Sequence, residues 1–130
     1  MSKVLEIAEA VAAALADHGA EVQFIPEFAL RGTAETRVVV VPAGTEFRAL
    51  SRGLHDERPC VHVGIVRRAT EDDVPALVDF AQALGKSFLN RRLAGATCTG
   101  VAFDPIYSPT HLREKGLFVS VVELTFASAG

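Results

Sequence analysis

Two apolar runs constrain the fold more than any other feature of the chain: Arg37 to Val41, closed by Pro42, and Cys60 to Val66. Continuous β-branched residues fit a pleated surface covered on at least one face, so both runs read as interior strands. Between them lie three arginines, three acids and one histidine. That stretch far exceeds the roughly two to five residues of a turn between neighbouring strands. An extended loop at about 43–58, centred on Gly44 to Arg58, is therefore expected. It is either a mobile flap or an arm with a task outside its own domain.

The flanking chain supplies helices and further strands. Val4, Ala8, Val11 and Leu15 repeat at helical spacing, with Gly19 as the stop. Glu21 to Phe28 alternates like a strand, and Pro26 places it at a sheet edge or a bulge. Thr70 and Asp73 form a capping box with aspartate in place of glutamate, and Glu71, Asp72 and Asp73 suit a helix start. The stripe Val74, Leu77, Val78, Ala81, Leu84 and Phe88 predicts a long helix to about Arg92, with Gly95 as its stop. Cys98 to Phe103 reads as a strand, Asp104 to Gly116 as a loop with one helical turn after Pro109, and Leu117 to Phe126 as the last strand. The order α-β-β-β-α-β-β predicts a single α+β domain, 1–130. Its one mostly antiparallel sheet has about five strands, and both helices pack on one face because two amphipathic stripes need a common apolar surface.

Composition and motifs narrow the function. At 130 residues and 49% hydrophobic, the chain can bury a real core. No apolar run approaches the roughly 20 residues that span a bilayer, and Glu6 and Glu9 interrupt the N-terminus where a signal peptide needs apolar sequence. A soluble protein without membrane contact is expected. Cys60 and Cys98 lie in predicted strands and read as small core residues, not as a disulfide or zinc site. His18, His55, His62 and His111 lack acid or cysteine partners at ligand spacing, no serine sits in a GxSxG elbow, and no glycine-rich phosphate loop occurs. Neither enzyme chemistry nor a metal or other cofactor is expected. Charge is uneven: residues 1–30 hold one lysine against five acids (−4), and residues 31–68 hold seven arginines against four acids (+3). Two such patches suit a contact between neighbouring subunits.

The segment DPIYSPTHLREKGLFVSVVELTF, Asp104 to Phe126, resembles the C-terminal signature of phage tail terminator proteins, also called tail completion or minor tail proteins. The matching elements are Tyr107, Ser108, Pro109, Leu112, Glu114, Phe118, Ser120, Leu124 and Phe126. The preceding order is also similar: an alanine-rich helix, a strand, the VVVVP strand, a charged loop, the VHVGIV strand and a long helix. The resemblance implies a virion protein that forms a homo-hexameric ring on the head-proximal end of the tail tube. Such a ring ends tube polymerisation and offers a surface to the head-tail connector or other neck proteins, with DNA only passing through its lumen. Assembly would take place in the host cytoplasm. The arm's anchors would be Arg48, Arg52 and Arg58, with Phe47, Leu50 and Leu54 at helical spacing for a short helix on docking. Glu6 and Glu9 would be the acids that face those arginines on a neighbour. Two other readings are a head-tail adaptor or head-closure protein, and a small cytosolic ligand-binding domain with a pocket around His55, Arg58 and His111.

Overall fold

The computed structural model describes residues 2–24 and 36–129. Its elements are α1 (Lys3–Ala14), β1 (Glu21–Val22), β2 (Thr36–Ser51), β3 (Leu54–Arg68), α2 (Val74–Lys86), β4 (Arg92–Leu93), β5 (Ala96–Phe103), α3 (Pro109–Lys115) and β6 (Leu117–Ala129). The six strands form one sheet in the order β1-β2-β3-β6-β5-β4, with only β1 and β2 parallel. The mixed α+β class and the antiparallel pairing of the two valine-rich strands follow the sequence reading; the strand count and element order do not. A two-residue β4 is added, and the helical turn expected after Pro109 is a seven-residue helix, α3. The predicted strand Glu21 to Phe28 is a strand only at Glu21–Val22, and its remainder from Ile25 lies outside the described residues.

Strand register explains where the core sits. Val38 opposes Ile65 and Val40 opposes Val63, while Val63 in turn opposes Val122 and Val61 opposes Leu124. Paired residues point to the same side of a sheet, so these side chains line one face. They share a single cluster with Ile7 and Val11 of α1, Leu15 just after it, Ala81 and Leu84 of α2, and Phe88 just after that helix. Both helices therefore cover the same face. Each of the large side chains fully buried there contributes on the order of 1.5–3 kcal/mol by leaving water.

The helix ends are partly as expected. The α-helix ends at Ala14, and a turn of 3-10 helix, Ala16–His18, carries the coil on to Gly19, which stops it at φ 66. The capping box is present: the Thr70 amide donates to Asp73 Oδ2 at 2.9 Å. The second helix, however, ends at Lys86 and does not reach Arg92. Asn90 turns the chain at φ 63, and Ala94 and Gly95, at φ 50 and 80, make the two-residue turn of the β4–β5 hairpin. Two consecutive positive φ values match the twist of antiparallel strands, so Gly95 serves a hairpin and not a helix stop.

The long loop expected at 43–58 is not a loop. From Thr36 to Arg68 the chain is one antiparallel hairpin, whose ladder continues from Thr36↔Arg67 to Ser51↔Leu54 with shifts at Pro42/Gly44 and Ala49/Ser51. Arg52 and Gly53 close it, with Gly53 at φ 80. The polar segment pairs with itself, which satisfies its backbone groups without burial.

Candidate interaction surface: the hairpin arm

Beyond Pro42 the hairpin leaves the covered body of the sheet. Ala43 to Ala49 are all exposed, on both faces of their strand. The β3 side is supported further out, because Asp56 and Glu57 pair with Ala129 and Ser128 of β6; Asp56 and Pro59 are buried as a result. The distal portion is a two-stranded arm.

Its two faces differ. On one, Glu46 opposes Arg58 and Arg48 opposes Asp56, so four charges alternate around a square. The ion pairs run along the strands: Arg48 Nε to Glu46 Oε1 at 2.6 Å and Arg58 Nε to Asp56 Oδ2 at 2.8 Å. The hydrogen bond and charge of Glu46 hold the Arg48 guanidinium above its ordinary pKa. Exposed pairs of this kind contribute little stability. Their effect is to pin the arginine forks in fixed directions. On the other face Phe47 stands 60% exposed, with the His55 ring 5.9 Å away. An aromatic ring held in water on a rigid strand is an unsatisfied contact.

The structure thus gathers Phe47, Arg48 and Arg58 on one arm and places Arg52 at its tip. Phe47, Leu50 and Leu54, whose spacing suits a short helix on docking, all fall in strands in the single subunit, and the side chains of Leu50 and Leu54 lie outside the described residues. Glu6 and Glu9 sit apart from the arm on α1, where Lys3 reaches Glu6 Oε2 at 3.8 Å while donating to the Ala94 carbonyl at 2.9 Å. The pocket imagined around His55, Arg58 and His111 is not assembled. His55 and Arg58 point to opposite sides of β3, and His111 Nδ1 lies 2.8 Å from Ser108 Oγ at the start of α3.

A second feature escaped the sequence reading. At the opposite end of the sheet, where Arg68 pairs with Leu117, the first turn of α2 and the helix α3 leave a cleft of about 610 Å³ between them. Val74, Pro75, Tyr107 and Leu112 line it, with Glu71 and Arg113 at the rim. The Tyr107 ring stacks on Phe118 with centroids 6.3 Å apart, and Ser108 caps α3 by accepting from the His111 amide at 3.3 Å. No periodicity signals such a cleft, because it is made by elements distant in sequence.

Among the described residues, no group of three or more His, Cys, Asp and Glu is arranged to hold a metal ion. None of the described helices is long and apolar enough to cross a membrane. Cys98 is buried in the core as predicted, whereas Cys60 is only half-buried and points to the second face of the sheet beside Thr125. Burial raises the pKa of both thiols, and at Cys60 the charge of Glu123 adds to it. Both are therefore poor nucleophiles.

No family model matches the chain, and no curated protein matches it. Solved structures do. A chain in the virion of a native gene transfer agent (GTA) particle shares the fold over 99% of this chain and 98% of that one, with a TM-score of 0.50 and 15% identity.

Proposed function

We propose that this protein is a structural component of a phage-like virion and acts as a tail terminator. Copies of it close into a hexameric ring on the head-proximal end of the tail tube. One ring face matches the tube subunit beneath it; the other gives no place for the next tube subunit and receives the neck. The protein performs no chemistry in this role, which is competitive matching of surfaces.

The observation that carries the reading is the projecting hairpin. Its strands run past the core, expose Phe47 and fix Arg48 and Arg58, which is costly for an isolated subunit and useful for one that docks. The whole-length likeness to a chain of a virion particle supports the same context. So does the segment from Tyr107 to Phe126, which resembles the C-terminal signature of tail terminators.

Light scattering after size exclusion, with electron microscopy of the same fractions, tests it. Closed six-fold rings are expected, and addition to polymerising tube subunits should stop growth at one end. A monomer at every concentration, whose melting temperature rises by several degrees with a metal ion or a nucleotide, would replace this reading with that of a ligand-binding domain.

A further inference from the structure

We infer that the cleft between α2 and α3 is the receptor for the hairpin arm of a second copy of this chain, with Phe47 inserted and Arg52 meeting Glu71 at the rim. This rests on the ring reading above and gives its subunit contact a chemistry.

The topology separates the two partners. Strand β3 begins at the arm with Leu54 and ends beside the cleft with Arg68. From Glu57, which opposes Phe47, to Arg68 the strand advances 11 residues at about 3.3 Å each, so Phe47 and the cleft lie roughly 36 Å apart along the strand. One subunit therefore cannot fill its own cleft with its own arm. A knob and a hole on different patches of one chain make a heterologous contact, which closes into a ring when the rotation between copies allows.

The chemistry of the two surfaces is complementary. Phe47 is an exposed aromatic on a rigid strand, and the cleft offers Val74, Pro75, Tyr107 and Leu112 as apolar walls. Its volume of about 610 Å³ accommodates Phe47 together with the His55 ring beside it. Charge separates this cleft from another of about 560 Å³. That one is bordered by Arg67, Arg68 and His18 with a single acid, Asp73, which already accepts from the Thr70 amide, and Arg67 donates to Thr36 Oγ1 at 2.7 Å. Its two arginines repel an arm that carries Arg48 and Arg52, whereas the first cleft balances Arg113 with Glu71. Glu71 stands exposed at the rim of the first cleft, next to the exposed Asp72, while the cap of α2 is made by Asp73. Glu71 is thus available to an arginine from outside.

The test uses the full-length chain and sedimentation or light scattering to measure association. Phe47→Ala should weaken it by roughly 30-fold or more, the loss typical of a buried aromatic anchor. Arg52→Glu and Glu71→Arg should each weaken it by roughly tenfold, and the double variant should recover most of that loss. All three side-chain changes are at exposed positions, so melting temperatures should stay close to that of the parent protein. If rings form but Phe47→Ala associates like the parent, or the double variant is no better than its worse single, the arm docks elsewhere and the cleft assignment falls while the ring reading stands. If the parent protein stays monomeric at the highest attainable concentration, both fall together.

Discussion

Gly85 shows how closely the second helix approaches the sheet. A Cβ at this position would stand 2.8 Å from Phe103 Cζ, 3.0 Å from Val101 Cγ1 and 3.2 Å from Val122 Cγ1. Glycine inside a helix costs about 1 kcal/mol relative to alanine, so close contact with β5 and β6 is what offsets that loss. Gly85→Val should destabilise the fold by about 2–3 kcal/mol and lower the melting temperature by several degrees, since three side chains must move for it. An unchanged melting temperature in a calorimetric scan would show that the helix can lift without loss. The signature residues behave in a similar way. Phe118, Leu124 and Phe126 are fully buried, Tyr107 stacks on Phe118, and Ser108 and Pro109 start α3. What these residues specify is the fold, which is why the resemblance they carry is a matter of architecture first. Ser120 is buried among them with no hydrogen-bond partner for its hydroxyl among the described residues, and nothing in the structure explains it.

Among the elements, the hairpin is where sequence reading and structure part. Its polar half carries few apolar residues, so it lacks the hydrophobic pattern that marks a strand. Plain counting outward from the Arg52–Gly53 turn would set Arg48 opposite Glu57; the register shift between Ala49 and Ser51 instead brings Arg48 to Asp56 and Glu46 to Arg58, a charge pairing that only the folded ladder decides. Because the distal arm buries little, the body should not depend on it. Replacing Ala49–His55, the part of the hairpin beyond its last pairing with β6, with Asn-Gly, a pair suited to a two-residue hairpin turn, should lower stability by about 1 kcal/mol or less and weaken ring formation through the loss of Arg52. Thermal melting and light scattering on the same sample check both halves. Unfolding of the shortened chain would make the arm part of the core. The second helix gives the complementary lesson: its apolar stripe continues to Phe88, but Asn90 turns the backbone and Arg91 and Arg92 lead into an edge strand.

At the scale of the whole molecule, the long strands give the subunit two poles, with the arm at one and the α2–α3 cleft at the other. A contact between poles brings arginines to acids, so assembly should weaken as salt rises from about 0.05 to about 0.5 M, where the Debye length falls to a few ångströms. Charge reversal separates the two acidic patches. Glu6→Lys with Glu9→Lys should weaken assembly less than Glu71→Arg does, because Glu6 already faces Lys3 within its own subunit. Measured association constants that rank the other way would move the arm's receptor to α1.

The sequence by itself determined the α+β class, the two valine-rich strands and their pairing, the capped start of the second helix and the amphipathic helices. These are written in local periodicity and in cap chemistry, which act over a few residues. It also marked 43–58 as the segment to explain. Only the tertiary structure decided that this segment is a paired arm, that β4 exists, and that a cleft opens where α2 and α3 approach. Each of these depends on which strands lie side by side, and register brings together residues as distant as Arg68 and Leu117. Pairing energy is shared across the ladder and not encoded at any one position.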